Sequence, residues 1–241
     1  MWCPTETSSG ESKAGPVKLT YFALFAKGPA SALALSFSGM DWEGVSDFDW
    51  QALKPTLAWR ELPVLEVPGV GIIGHELAIL NFIASGCPKM AGENQKERVI
   101  SSQLLSEAED IYIKLGKVQP TCKATADKVP REELAKCWSD VEQATHNRNY
   151  GFHVYLVLLE EYYKTCGAGG GKFTSSGTTV GECKLFAVLH SLKMIQDGIL
   201  KGYPGLEAFH TRFANLKETI EILTTGGKMG KPFQQYFINP P

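Results

Sequence analysis

Residues 61–84, ELPVLEVPGVGIIGHELAILNFIA, constrain this chain more than any other stretch, because the hydrophobic period changes inside it. Val64, Leu65 and Val67 form a short apolar run that suits a buried strand. Pro68-Gly69 is turn chemistry, and Ile72-Ile73 make a second short run. From Glu76 the spacing turns helical: Leu77, Ile79, Leu80, Phe82 and Ile83 share one stripe, with Gly86 placed to stop it. The expectation is strand, turn, strand, helix. Pro63 has no amide for a ladder, so it needs a strand's first residue, an edge or a bulge. The Leu62-Pro63 bond is then a candidate for the cis form.

The flanks extend the pattern. Val17 to Phe22 alternates and reads as a first strand. Pro29 suits a first helical position, and Ala30, Leu33, Ala34 and Phe37 continue a stripe to Gly39. A further strand is expected at Trp42 to Val45, and an irregular stretch with Trp50 and Trp59 in a loop at Asp47 to Trp59. Composition shifts at Gly86 to Asn94, and everything beyond reads as helix. Ile100, Leu104, Leu105, Ala108, Ile111, Tyr112 and Leu115 predict a helix over Gln95 to Val118. A loop is expected at Pro120 to Pro130, then a long helical segment with a break at Asn147 to Gly151. Thr179-Val180-Gly181-Glu182 is a capping box ahead of Leu185, Phe186, Leu189 and Leu192. Pro204 opens another helix, and the chain from Gly226 reads as a polar tail.

The 241 residues suffice for two modest domains. A net charge of −2, spread along the chain, argues against a nucleic-acid binder. No apolar run reaches the ~20 residues of a membrane span. The N-terminal stretch lacks the apolar core of a secretory signal. Six scattered cysteines, none paired as C-x-x-C, read as reduced thiols of a cytoplasmic protein.

The LPVLEV stretch, its hairpin and its helix resemble the second half of the thioredoxin-like domain of cytosolic glutathione transferases. GGKFTSSGTTVGECKLFAVLHSLK and YPGLEAFHTRF are similar to that family's helical domain, and LTYF, WQALKP and LPVLEV are spaced as in its sigma class. The resemblance covers residues 17 to 224 and implies a flexible tail at 1–16, a thioredoxin-like glutathione-binding domain at 17–86, a linker at 87–95, an all-helical domain at 96–224 and a C-terminal tail at 225–241. It also implies glutathione as co-substrate, a hydrophobic electrophile, a homodimer and no metal.

Site residues follow from the same resemblance. A phenol of ordinary pKa at a strand end does not attack at neutral pH, but it can donate a hydrogen bond to a thiolate and hold it ionised; Tyr21 stands where tyrosine-type transferases keep that phenol. Trp50 and Lys54 fall where the glycine end of glutathione is held, and Leu62-Pro63 offers main-chain groups to its cysteine. Phe22, Leu24 and Tyr112 are expected beside the electrophile. Four positions depart from the family pattern. Glu61 replaces the usual Gln, and His75-Glu76 replaces Gln/Glu-Ser at the helix start that receives the γ-glutamyl carboxylate. Ser106 stands where several classes place an aspartate that helps across the dimer. Glu76 can then repel the ligand's carboxylate or pair with its ammonium. A non-catalytic binding or assembly subunit with a degraded site is the alternative, and a prostaglandin-type isomerase a third reading.

Several lookalikes fail. Gly69-x-Gly71-x-x-Gly74 matches a dinucleotide fingerprint, but a strand lies inside it. Gly167 to Lys172 lacks the spacing of a phosphate loop. His146 and His153 lack further ligands for a metal.

Overall fold

The computed structural model describes residues 15–119, 121, 131–139 and 151–238. The N-terminal tail through residue 14, the loop at 120–130 except Thr121, and the expected break at 147–150 lie outside the described residues, as does His146.

The first half is a four-stranded sheet with helices packed on it. Strands β1 (Val17–Thr20), β3 (Trp42–Val45), β4 (Val64–Val67) and β5 (Gly71–Gly74) take the order β3-β1-β4-β5. β1 runs parallel to β3, while β4 is antiparallel to both β1 and β5. The first connection carries β2 (Leu24–Phe25) and α1 (Gly28–Ser38), the helix needed to return a parallel strand. Leu19 and Leu65 face Leu33 on α1 and Ile79, Leu80 and Ile83 on α3 (Glu76–Gly86) in one fully buried core. This is the thioredoxin-like arrangement expected from the sequence. Gly69 and Gly71, at φ of 76° and 114°, make the β4–β5 turn, so the dinucleotide lookalike is a hairpin. The Leu62-Pro63 bond is cis.

One stretch is more ordered than expected. Within Asp47 to Trp59 lies a one-turn helix, α2 (Trp50–Leu53), followed by a 3-10 turn at Lys54–Thr56. The missed signal is Asp49, whose carboxylate accepts the amides of Gln51 and Ala52 at 2.9 and 3.2 Å.

Up to Thr225 the described part of the second half is built from helices: α4 (Pro88–Ala91), α5 (Gln95–Val118), α6 (Arg131–Ser139), α7 (Phe152–Cys166), α8 (Val180–Ile195), α9 (Pro204–Ala214) and α10 (Lys217–Thr225). α8 is the centre, buried along nearly its whole length and packed against both α5 and α1. Its start is fixed by the capping box, with both reciprocal bonds present. Buried Glu182 accepts the amides of Phe173, Thr174 and Thr179 at 2.9, 3.2 and 3.1 Å and the hydroxyls of Thr174 and Thr179 at 2.6 and 3.0 Å. His153 is a core histidine, with Tyr203 Oη 2.8 Å from Nδ1 and the Trp138 carbonyl 3.2 Å from Nε2.

The chain beyond Gly226 corrects the expected polar tail. It returns across the first half, where Ser46 Oγ donates to the Met229 carbonyl at 2.8 Å. β6 (Gln234–Gln235) then pairs parallel to β2. Met229, Phe233 and Phe237 are buried. Four apolar side chains in a short segment, Met229, Phe233, Tyr236 and Phe237, supply the drive that its polar average conceals.

An imidazole pair lies in the core where α8 meets α9. His190 Nδ1 and His210 Nε2 are 3.1 Å apart, and the rings are parallel within 7°. Burial pushes His190 down to about 4 and His210 down to about 3. Both are neutral at pH 7, and below about 6.5 the unfolded chain takes protons that the native state refuses. Stability is therefore expected to fall as pH drops from about 6.5 toward 4, by at most about 2.7 kcal/mol per pH unit for two protons. Urea midpoints between pH 7.5 and 5 measure it. A flat wild-type profile, or the same slope in His190→Phe/His210→Leu, would sink the assignment.

Candidate active site

Tyr21 follows β1 and is buried, its ring lying on the backbone at the start of α1. A Cβ at Gly28 would come within 2.1 Å of Tyr21 Cδ1, so only glycine lets the ring lie there. The Lys27 amide donates to Tyr21 Oη at 3.0 Å. Among the described residues the phenol donates to no protein acceptor. Burial, more than the nearby Glu76 carboxylate, pushes its pKa well above the usual phenol range. The group is thus a neutral O–H with its oxygen anchored and its proton free for a ligand.

The cis-Pro edge and the start of α3 lie side by side, because Val64 pairs with Gly74 in the β4–β5 ladder. His75 follows at φ 63°, an unusual value for a side-chain-bearing residue. No side chain caps α3. The first intrahelical bond is that of Ile79 to His75, so the amides of Glu76, Leu77 and Ala78 have no intrahelical acceptor. His75 and Glu61 are exposed. The Trp59 indole packs at 5.4 Å from the His75 ring, over Gly74, where a Cβ would meet Trp59 Cδ1 at 2.7 Å. Half-buried Trp50 sits at the start of α2, and Lys54 Nζ lies 5.6 Å from the centre of its ring.

Glu76 is where the structure departs most from the sequence reading. Its side chain is buried and bonded to Lys184 Nζ on α8, a partner that the sequence reading did not weigh. Lys184 is itself fully buried and lies 2.9 Å from Glu109 on α5. Glu109 in turn accepts from Lys27 Nζ at 2.7 Å. Two carboxylates and two ammonium groups alternate across the junction of the two halves. Tyr112 lies among them, with Lys184 and Lys27 at 4.7 and 4.9 Å from its ring centre. Burial alone would lower the Lys184 ammonium, but the two carboxylates hold it above its usual value. Burial would likewise raise Glu109, yet Lys184 and Lys27 hold it below the usual carboxylate range. Burial pushes the Glu76 carboxyl up, and Lys184 opposes that from direct contact.

The residues expected beside the electrophile have different packing neighbours. Phe22 packs on Phe48 and Trp50, with ring centres 5.2 and 5.5 Å away. Leu24 is in β2, paired with Gln234. Tyr112 lies beside Lys184 and Lys27 at the junction of the halves, with the Phe237 ring centre 5.9 Å away. Sequence reasoning missed Lys184, Glu109, Lys27 and the C-terminal wall. Lys184 carried a signal: it interrupts the apolar run Cys183 to Leu189, and a buried lysine requires anionic partners. Ser106 is exposed on α5, beside a groove of about 670 Å³ between α5 and α7 that Val99, Leu158 and Tyr162 help to line. Among the described residues no cluster of His, Cys, Asp and Glu is placed to hold a metal, and no helix is long and apolar enough to cross a membrane.

A thioredoxin-like half joined to a helical half, with a buried tyrosine, a cis-Pro edge and an uncapped helix start at their junction, defines the glutathione transferase fold. No family model matches the chain. Glutathione S-transferase A3 of Mus musculus is 24% identical over 178 residues, covering 74% of this chain and 72% of the mouse protein. Hematopoietic prostaglandin D synthase of Gallus gallus is 32% identical over 100 residues, 40% of this chain and 48% of that protein. The solved Pi-class glutathione S-transferase of Onchocerca volvulus superposes with a TM-score of 0.71 at 20% identity, over 90% of this chain and 97% of that one. In sequence and in fold the chain is similar to cytosolic glutathione transferases. Relatives with alpha and pi names occur together, so the sigma class is not singled out.

Proposed function

We propose that this chain is a cytoplasmic glutathione transferase of the tyrosine type that joins the glutathione sulfur to small hydrophobic electrophiles. The observation that carries the reading is Tyr21, a neutral phenol with its oxygen fixed and its proton unspent. Donated to the bound sulfur, that proton stabilises the thiolate, the form that attacks carbon. The thiol proton leaves to solvent. The sulfur lone pair forms the S–C bond while the electrophile's leaving group departs with its bonding pair. In this reading the tripeptide lies along Leu62-Pro63, its γ-glutamyl carboxylate meets the free amides at the start of α3, and Trp50 and Lys54 face its glycine end, with Glu61 and His75 at the rim. The electrophile sits against Tyr112 and Phe237. The division into a glutathione-binding domain at 17–86 and a helical domain at 96–224 fits this arrangement, and a homodimer would bury the α5–α7 groove and the exposed Val99.

Calorimetric titration with glutathione, followed by turnover of an activated aryl chloride, tests the reading. Saturable binding and conjugation are expected. Neither binding nor turnover would refute it in favour of an assembly subunit. Binding with isomerisation of a prostaglandin endoperoxide but no conjugation would favour the isomerase reading, which two relatives' names suggest.

A further inference from the structure

We propose that Lys184 is a positioning residue of the glutathione site, keeping the Glu76 carboxylate retracted and neutralised so that the start of α3 is open to the ligand's own carboxylate; this rests on the glutathione transferase reading. Glu76 is the first residue of α3. A carboxylate there is drawn to the same free amides and the same positive helix end that would hold an anionic ligand. Left to itself it would cap its own helix and compete with that ligand. In this protein it turns inward to a lysine with no exposed surface, supplied by a helix of the other half. One Glu76 oxygen takes Lys184, and the other has no hydrogen-bond partner among the described residues, so Lys184 is the group that keeps this carboxylate inside.

The neighbours explain why Lys184 can do this at neutral pH. The groups around Glu76 are Lys184 on α8, Glu109 and Tyr112 on α5, Lys27 and Tyr21 at the start of α1, and, beyond Tyr21, Tyr236 of the C-terminal segment. Lys27 is committed to Glu109, and burial keeps the Tyr21 and Tyr112 phenols neutral. Among the described residues, Lys184 is the one side chain that bonds directly to Glu76. Without it the carboxylate would be an unpaired buried charge, which is costly enough that it would take up a proton or swing out to the helix start.

The test compares wild type, Lys184→Met and Glu76→Gln/Lys184→Met by glutathione calorimetry from pH 5.5 to 8, with the bound thiol pKa read from thiolate absorbance. In Lys184→Met, affinity should fall about tenfold or more at pH 8, as expected for like charges a few ångströms apart near a surface. It should recover as pH falls and Glu76 takes a proton. The double variant, with no charge on either side, should regain affinity to within about threefold and lose the pH dependence. A merely structural lysine would change the melting temperature without this pH profile or its rescue. Unchanged affinity in folded Lys184→Met, or no recovery in the double variant, overturns the proposal. If the single variant does not fold, the double variant decides, since weak binding there would mean that Lys184 does more than hold Glu76. Absence of binding by the wild type would instead refute the glutathione reading, and this inference with it.

Discussion

Tyr21→Phe is expected to lower kcat/KM for conjugation by roughly a hundredfold, while glutathione affinity stays within a few-fold. The substitution removes one hydroxyl and keeps the ring that packs on Gly28. Its oxygen is held by the Lys27 amide, so the lost proton is the one aimed at the ligand. One well-placed donor to a reacting anion contributes on the order of 10²–10³ in rate. In the proposed site the tripeptide's main chain and carboxylates make no use of the phenol, so affinity is expected to be spared. The bound thiol pKa, followed by thiolate absorbance, should rise in the variant, so the rate loss should shrink at high pH. An unchanged thiol pKa would remove Tyr21 from the mechanism.

Glu182→Ala should cost more than about 4 kcal/mol of stability. The buried carboxylate accepts three amides and two hydroxyls, tying the loop from Phe173 to Thr179 onto the first turn of α8. Alanine leaves those donors buried without an acceptor, at about 1–3 kcal/mol for each that water cannot reach. It also removes half of the capping box. For a chain of this size about 4 kcal/mol corresponds to a melting temperature lower by roughly 10 °C or more. The same turn fixes where Lys184 begins its reach across the junction, two residues further on. Urea and thermal unfolding measure the loss, and a cost under about 2 kcal/mol would show that the loop rearranges to satisfy itself.

The sheet, its hairpin, the long α5 and the capped α8 were legible because each rests on local periodicity or on a signal a few residues long. Val64 to Glu76 announces strand, turn and helix through its own spacing. Thr179 and Glu182 announce a helix start because both partners of the box are in view. Tyr21 and the Leu62-Pro63 edge were legible as a site only through family resemblance, since a tyrosine after a strand is ordinarily core. Asp49, one residue ahead of α2, was readable but hidden in a stretch of tryptophans and prolines.

What the sequence determined by itself is therefore the order of the elements and the residues at their ends, because these depend on neighbours within a turn or two along the chain. Only the tertiary structure decided what Glu76 does. Its nearest charged partner is 108 residues away on α8, and the next link, Glu109, comes from α5. A carboxylate at a helix start looks the same in sequence whether it faces a ligand or a buried lysine. The difference is made by burial, which multiplies the strength of a charge pair and penalises an unpaired charge. The C-terminal segment teaches the same lesson: Phe233 and Phe237 are a few apolar residues in a polar stretch until β2 and Tyr112 come close enough to cover them. Contacts between distant parts of the chain leave no period to read, and here those contacts set which groups line the proposed site.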